Sequence, residues 1–464
     1  MPDGPDAVRD GSDTVREPGP CGPVDPVDER LEFLLQLGCG LLESGQTAAS
    51  TRYLVATCGR GLGLEGMKAM TLGRMLRVGA QGSDGTPRIL SAPAGTFDVI
   101  DCTRARDLAR LVEEVDRPDA EPLTGPEAES FLANGREEVH RLRSRGTPWW
   151  VVTLGLTLLA FFISMQVGIT WRAWVAAAVV QVASSLVGFA IAPLRAPRLV
   201  VVAAQACAGG ALATALVQLG LVDPVGAAAA IAVNWLLLLP LPQMVNAVMD
   251  LLSFDRRMAL VRLSRVALAV GGLVIGGDFT FLLGESLGMA HPRLDTLPGM
   301  PWYLVLVFSA LAAVGNAFAN GGRFSLAVPA AVTGFATAGV NQVLLLVVGL
   351  PTLAANTISA FVLGILAGIY AVRAGYPQQV LALMGITGAL LPGIPVFFGI
   401  LQEMGQGSGL PWFGQAALIM LGIGVGVGIG SFLYEAVRLA ALWVVHKVAR
   451  VGRRERQGAS PSGR

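Results

Sequence analysis

The chain has 464 residues, of which 53% are hydrophobic and only 14% are charged, and its formal net charge is +1. Because soluble proteins carry about 25% charged residues, this composition excludes a soluble globular fold and predicts a membrane protein. The small net charge gives no sign of a nucleic-acid partner. The five cysteines form neither a CxxC pair nor a cluster with histidine, so we expect no metal, disulfide or other cofactor chemistry.

The first 147 residues carry most of the charge and predict a tail followed by a small α/β domain. Residues 1–27 are polar and rich in proline and glycine, which favours a disordered tail and shows no apolar stretch of a secretory signal. Residues 28–147 alternate between helical and strand-like patterns, and about 120 residues suffice for a hydrophobic core. The predicted elements of this domain are helices at 31–44 and 47–60, strand-like runs at 67–80, 88–90 and 97–100, and helices at 104–117 and 125–144.

Two short signals mark the ends of elements in this domain. Gly82-Ser-Asp-Gly85 separates two strand-like runs and is typical of a hairpin turn. Thr124-Gly-Pro-Glu127 matches a capping box with proline in the first turn. It therefore predicts the start of the last helix of the domain.

From Trp149 onward the chain is a series of apolar runs, each close to the roughly 20 residues that a helix needs to cross the hydrocarbon core. The sequence therefore predicts an α-helical polytopic membrane protein with ten transmembrane helices. The predicted spans lie at 148–168, 171–192, 199–220, 224–247, 264–288, 301–319, 325–349, 352–372, 379–401 and 412–440.

Arginine and lysine gather on one side of these spans. They precede the first span, lie between the second and third, follow the fourth, sixth and eighth, and occur throughout a basic tail at 446–464. The alternate loops carry only Arg172 and Arg293. Because positive loops stay in the cytoplasm, we expect both termini on the cytoplasmic side of a bacterial plasma (inner) membrane.

Two proline motifs stand inside apolar spans. The first, Leu-Leu-Leu-Leu-Pro-Leu-Pro-Gln, contains Pro240 and Pro242. The second, Leu-Leu-Pro-Gly-Ile-Pro, contains Pro392, Gly393 and Pro395. Proline removes a backbone donor and clashes with the preceding turn, so each motif predicts a kinked or broken helix.

The two motifs fall at matching places in two five-span halves, 148–290 and 300–445. Because five is an odd number, the halves enter the membrane in opposite orientations, and each carries its motif in the fourth span. This arrangement predicts a 5+5 inverted repeat in which the two breaks frame a substrate path. Freed carbonyls and half-helix ends at the breaks are available to bind charged groups.

An ionisable side chain inside a span is costly and by default marks an ion or substrate path. Asp278, in the fifth predicted span, is the clearest case. It is either a proton-coupling carboxyl or one that is hydrogen-bonded to a neighbouring helix for packing. Asp250, ten positions after the first proline, is either a gate residue or a carboxylate at a helix end beside Arg256 and Arg257.

Neutral amides also stand inside the spans, and we expect most of them to form hydrogen bonds between helices. Gln243 and Asn246 lie beside the first proline motif, so they are the candidates for substrate contact. Glu435 precedes Arg438 by three positions, a spacing that brings two helical side chains together and predicts a structural ion pair.

This layout resembles the threonine/serine exporter family, whose members join a cytoplasmic N-terminal domain to ten spans. The resemblance covers about 30–445 and rests on the order of short pieces along the chain: Ser44-Gly45, 62–64, 104–111, the stretch from Pro240 to Arg265, and 391–393. It implies export of threonine and serine driven by the proton motive force. In some bacteria the two halves resemble separate small proteins that together export dicarboxylates such as succinate.

The chain departs from this family in one place. The first half of such proteins usually carries Pro-Gly, where this chain reads Pro240-Leu-Pro242-Gln243. If glycine there lets a substrate approach closely, this member selects a substrate other than threonine.

The leading hypothesis is a secondary exporter whose partners are a small amino acid substrate, protons and the lipid bilayer. Two alternatives stay open: an exporter of dicarboxylates, and a membrane-anchored sensor or scaffold whose N-terminal domain binds a partner. Broken helices and buried carboxylates argue against a mere anchor, and no nucleophile–base set indicates an enzyme. The sequence leaves open the substrate, the role of the N-terminal domain and whether the protein is a homo-oligomer.

Overall fold

A computed structural model describes residues 25–95, 100–116, 121–166, 170–288, 300–404 and 407–458. Within these residues the chain forms an N-terminal domain of four helices and a three-stranded sheet, followed by a membrane bundle of twelve helices. The N-terminal domain comprises α1 (Pro26–Glu43), α2 (Ala48–Gly61), β1 (Lys68–Leu72), β2 (Met75–Gln81), β3 (Pro87–Pro93), α3 (Cys102–Val115) and α4 (Gly125–Ser144).

Helix α1 is the centre of the N-terminal domain. It begins after Asp25, whose carboxylate accepts a hydrogen bond from the N–H of Val27 at 3.0 Å and caps the first turn. Its leucines are buried against α2, α3, α4 and the sheet. The sheet is an antiparallel meander in the order β1-β2-β3. The domain therefore has a hydrophobic core of its own.

The predicted helices of this domain are confirmed, and three details differ. The run at 67–80 contains two strands, because Gly73 adopts φ 61° in a tight turn between them. The capping box is wrong: Thr124 is the residue before α4 but its side chain makes no capping hydrogen bond, and Gly125, the first residue of α4, has φ 58°. Of the predicted strand at 97–100 only Ile100 is described, and it lies outside the sheet. The predicted tail, residues 1–27, lies almost wholly outside the described residues.

Among the described residues, the membrane bundle contains eight helices that are long and apolar enough to cross a membrane, and two bent helix pairs that make ten spans if each pair counts as one. The prediction of a polytopic α-helical membrane protein is confirmed. The bundle comprises α5 (Trp149–Gln166), α6 (Trp171–Ile191), α7 (Arg198–Gln218), α8 (Pro224–Leu238), α9 (Leu241–Leu252), α10 (Arg256–Ser286), α11 (Trp302–Ala319), α12 (Phe324–Gln342), α13 (Thr352–Ala374), α14 (Gln378–Ala389), α15 (Gly393–Met404) and α16 (Leu410–Gly458).

The two bent pairs are α8–α9, which meet at 44°, and α14–α15, which meet at 49°. Both breaks fall at the predicted proline motifs. Helix α10 begins at Arg256, earlier than the predicted start of its span at 264, because the Asp255 carboxylate caps it by accepting from the N–H of Met258 at 3.1 Å. Helix α16 continues as helix beyond the predicted end of its span and reaches Gly458.

The helix contacts of the first five spans recur among the last five. In the first set, α6 packs against α5, α7 and α8, and α7 packs against α10. In the second set, α12 packs against α11, α13 and α14, and α13 packs against α16. The two sets meet where α5 crosses α11 at Gly155 and Gly315; a Cβ on Gly315 would lie 2.8 Å from the backbone nitrogen of Leu159. Small residues allow this close approach.

The N-terminal domain packs directly onto the bundle. Ile100 lies two residues before α3, and Ala105 lies in its first turn. Both share a hydrophobic cluster with Leu241 and Val245 of α9. Met258 of α10 in turn belongs to the core of the N-terminal domain. Apolar burial therefore fixes the domain beside α9, where the first broken span ends.

Candidate functional site

The first break follows from the positions of Pro240 and Pro242. In a continuous helix their N–H groups would donate to the carbonyls of Leu236 and Leu238, and proline has no N–H to give. Helix α8 accordingly ends at Leu238, and α9 begins with Pro242 in its first turn. The N–H of Gln243 donates to the carbonyl of Pro240 at 2.9 Å, which starts the new helix.

The second break has the same cause, but here other donors bind the carbonyls that proline leaves without a helical partner. Pro392 leaves the carbonyl of Gly388 without its helical donor, and the side-chain amide of Gln166 on α5 donates to that carbonyl at 3.1 Å. The carbonyl of Leu391, deprived by Pro395, accepts from the N–H of Gly393 at 2.8 Å. The freed backbone is therefore satisfied inside the protein, as a broken membrane helix requires.

Gly393 and Pro395 differ in their surroundings at the start of α15. Pro395 is buried. A Cβ built on Gly393 would meet no atom within 4 Å, so packing does not require glycine there. The missing side chain leaves open space beside the break.

A cavity of about 460 Å³ lies between the two broken spans. Leu239 borders it at the first break and Pro392 at the second, and α8, α9, α10, α15 and α16 supply its walls. Trp235 forms part of the wall, with its ring packed against Gly277. Most of the surface is apolar, as is usual for small-molecule pockets.

Asp278 lines this cavity and is exposed. Among the described residues it forms no hydrogen bond or ion pair, so the alternative of a carboxyl hydrogen-bonded to a neighbouring helix has no support. Glu403 also borders the cavity, but its carboxylate accepts from the N–H of Gly409 at 2.8 Å and holds the start of α16. Asp278 is thus the carboxylate of the cavity that has no structural partner among the described residues.

Asp250 lies at a different place, where the N-terminal domain meets α9 and α10. Its carboxylate accepts from Nε of Arg262 at 2.8 Å and from the backbone N–H of Ala48, the first residue of α2, at 2.9 Å. Both side chains of the ion pair are fully buried. Of the two alternatives for Asp250, the carboxylate near a helix end has Arg262 as its ion-pair partner rather than Arg256 or Arg257, because α10 starts early enough to bring Arg262 alongside.

Arg262 joins three segments of the chain. Beyond Asp250, it donates from Nη1 to the side-chain oxygen of Gln243 at 2.7 Å and from Nη2 to the carbonyl of Gln46 at 2.7 Å. Asn246 donates to the carbonyl of Gly45 at 2.8 Å. Gln243 and Asn246 therefore bind Arg262 and the α1–α2 loop (residues 44–47), and neither lines the cavity of Asp278.

The same α1–α2 loop also reaches the second broken span. The side chain of Gln379, in the first turn of α14, accepts from the N–H of Thr47 at 3.3 Å and donates to the Thr47 hydroxyl at 2.8 Å. The loop thus contacts α9 and α14 together. A small pocket beneath it is bordered by Pro242 and Asn246 on one side and Leu383 on the other.

Asp101 strengthens the attachment of the domain from the next helix. Its carboxylate caps α3 by accepting from the N–H of Arg104 at 2.9 Å, and its own N–H donates to the carbonyl of Ser44 at 3.2 Å. Burial raises the pKa of Asp101, while the cap and the Arg104 guanidinium oppose that rise. The Thr103 hydroxyl donates to the carbonyl of Gly321 at 2.6 Å, which ties α3 to the α11–α12 turn.

The remaining buried amides behave as predicted, as links between helices. Asn234 on α8 donates to Gln181 on α6 at 3.0 Å, and Asn316 on α11 donates to Thr387 on α14 at 3.0 Å. In each half, such a bond supports the segment just before the break. The predicted ion pair in α16 is confirmed, with Arg438 3.6 Å from Glu435.

The nine predicted site residues therefore separate into three groups. Asp278 and Pro392 border the cavity, and Pro240 follows Leu239, which borders it too. Pro242 and Asn246 line the pocket beneath the α1–α2 loop, and Gln243 and Asp250 bind Arg262 beside it. Gly393 and Pro395 start α15 and line neither space. Sequence reasoning missed Arg262, Gln379 and Gln166. For Arg262 a signal existed: Asp255 is a strong N-cap residue, and a helix starting there places Arg262 inside α10.

Comparison with known proteins identifies a family. The family model whose description reads "Putative threonine/serine exporter" (ThrE) matches residues 32–283 and 285–434. These segments contain most of the N-terminal domain, both helix breaks and the residues that border the cavity and the α1–α2 loop. No curated protein and no solved structure matches the chain.

Proposed function

The chain belongs to the threonine/serine exporter family, and on that premise we propose that it is a secondary exporter of small polar amino acids, threonine and serine first, driven by the proton motive force. One observation carries the proposal: both helix breaks and Asp278 border a single cavity between the broken spans. In transporters with broken helices, substrate and coupling ions bind at such breaks.

The chemistry of the cavity favours an amino acid over a dicarboxylate. Asp278 and Glu403 are the ionisable residues in its lining, and among the described residues that border it there is no lysine or arginine. A substrate ammonium is attracted to a carboxylate in a poorly solvated site, whereas a dianion is repelled. The volume of about 460 Å³ lies within the usual range of small-ligand pockets.

Asp278 is the residue to which we assign proton coupling. It has no structural partner among the described residues, so its charge can change without breaking a contact that holds the fold. The ionised carboxylate binds the substrate ammonium, and protonation from the outer side removes that attraction. The substrate then leaves as the proton enters, which couples export to the proton gradient.

We further propose that the bundle is an inverted repeat of the halves 148–290 and 300–445. The support is that α5 to α10 and α11 to α16 share the same order of helix contacts, with the broken span fourth in each. Halves of opposite orientation bring the two breaks to one cavity from opposite sides. Rocking of one half against the other would then expose that cavity to each side in turn.

The orientation that we propose places both termini in the cytoplasm of a bacterium, with the bundle in its plasma membrane. The support is the distribution of arginine: it follows the fourth and sixth predicted spans, and the connections after those spans bind the N-terminal domain at Asp255 and Gly321. Export therefore begins at the face covered by that domain.

Counterflow in proteoliposomes tests the proposed function. Vesicles loaded with unlabelled threonine or serine should accumulate radiolabelled threonine transiently, and vesicles loaded with unlabelled succinate should not accumulate radiolabelled succinate. Accumulation of succinate without accumulation of threonine would favour the dicarboxylate alternative. Counterflow with neither amino acids nor dicarboxylates would overturn the exporter proposal and favour a sensor or scaffold.

A further inference from the structure

The α1–α2 loop, residues 44–47, is buried although it connects two helices of a water-facing domain. Ser44, Gln46 and Thr47 are each no more than 2% exposed. Connecting loops normally lie on the surface, because their backbone groups need water. Here membrane-bundle side chains take the place of water: Asn246 and Arg262 donate to the loop carbonyls, and Gln379 bonds to Thr47.

The loop covers the space between the domain-facing ends of the two broken spans. The pocket beneath it is bordered by Val245 of α9 and by Ala382 of α14. Met244, the residue next to Val245, borders the cavity of Asp278. Neighbouring residues of α9 therefore face the cavity and the covered pocket, so α9 separates the two and the loop covers the pocket on the side of the N-terminal domain.

The contacts that hold the loop are mostly polar, which suits a contact that opens. Opening an apolar interface exposes apolar surface to water, which costs free energy. A buried ion pair, by contrast, adds little net stability over apolar packing of the same volume. When the loop leaves, Asp250 and Arg262 remain paired and water can replace Ala48 and Gln46 as their partners. Both the closed and the open arrangement therefore satisfy the same polar groups.

We propose that the α1–α2 loop is an autoinhibitory plug: it closes the domain-facing entrance between the two broken spans and has to withdraw before a substrate reaches the cavity. This inference rests on the proposed transport function for its meaning, but the movement of the loop can be measured without any substrate. The N-terminal domain then regulates access, and a partner or ligand that pulls α1 and α2 away from the bundle activates the exporter.

Labelling of a buried thiol measures withdrawal of the loop directly. Ala382→Cys places a thiol in the covered pocket, and its labelling by a hydrophilic maleimide is followed by peptide mass spectrometry of the full chain in nanodiscs. Gln379→Ala, which removes both bonds to Thr47, should speed this labelling about two- to tenfold. The native Cys39 and Cys58 add little background, because burial raises their pKa values to about 11 and about 12.

The neighbouring residue provides a matched control. Gln378 donates to the carbonyl of Gly364 at 2.8 Å and, among the described residues, forms no hydrogen bond to the loop. Gln378→Ala therefore removes a comparable hydrogen bond from the same helix turn and should leave the labelling of Cys at 382 unchanged. Equal labelling in the Gln379→Ala and Gln378→Ala backgrounds would overturn the plug.

A cross-link gives the complementary test. A short, reducible bis-thiol reagent applied to the double variant Thr47→Cys, Gln379→Cys should abolish threonine counterflow, and reductant should restore it. Each single variant, treated in the same way, controls for modification of native cysteines. Full counterflow in the cross-linked protein would contradict the plug, whereas a double variant that shows no counterflow even when reduced leaves the labelling result to decide.

Discussion

Asp278 and Asp250 are both carboxylates of the membrane bundle, and their surroundings differ. Asp278 is exposed to a cavity and has no partner among the described residues, whereas Asp250 is buried and bound by Arg262 and by the N–H of Ala48. Position in an apolar segment is therefore a poor guide to the role of an ionisable residue. The partner decides: a paired carboxylate holds the fold, and one without a partner is available to a substrate or a proton.

The largest expected effect on stability comes from breaking the pair. Asp250→Asn leaves the guanidinium of Arg262 buried without its counter-ion, which should lower the free energy of unfolding in detergent by about 3–5 kcal/mol. Glu435→Gln is the matched control, because its pair with Arg438 is about half exposed and is worth at most about 1 kcal/mol. A loss in Asp250→Asn no larger than in the control would refute the structural role.

A smaller effect is expected from the wall of the cavity. In Gly277→Ala the new Cβ would overlap the ring of Trp235, so that ring has to move. The free energy of unfolding should fall by about 1–3 kcal/mol, and threonine counterflow should be reduced. Gly271→Ala in the same helix meets only an ordinary contact, 3.6 Å from Leu199, and should change neither quantity. If the two variants transported equally well, the wall at Trp235 would not shape the substrate site.

The smallest effect concerns Asp101 at the junction. Burial raises its pKa in the folded protein, so the folded state binds the proton more tightly than the unfolded state does. Stability is then lost as the pH rises from about 3.9 through the raised value. Asp101→Asn keeps a capping side chain and removes this titration. The melting temperature in detergent should therefore fall less in the variant than in the native protein as the pH rises from 4 to 7. If the melting temperatures of the native protein and the variant fell equally with pH, the titration would not belong to Asp101.

The helix breaks could be predicted from sequence because their cause is covalent. Pro240 and Pro392 lack the N–H that a continuous helix needs, wherever the surrounding chain lies. The length and apolar character of the spans are equally local properties. The positions of both bent pairs and of most helices therefore followed from the sequence alone.

The junction could not be predicted in the same way, because its contacts join distant parts of the chain. The bond from Arg262 to Gln46 spans more than two hundred residues, and the bond from Gln379 to Thr47 more than three hundred. No periodicity reports such pairs. The place of Asn246 beside the break predicts substrate contact, and only the fold shows that it binds Gly45.

The proposed coupling of transport to protons through Asp278, in the cavity between the broken spans, can be measured in proteoliposomes. Threonine movement driven by a pH gradient is compared in proteoliposomes of the native protein and of Asp278→Asn. The variant should fold with native stability, since Asp278 has no structural partner among the described residues, and should lose gradient-driven movement, with any remaining counterflow independent of pH. Gradient-driven movement at the native rate would remove Asp278 from the coupling mechanism.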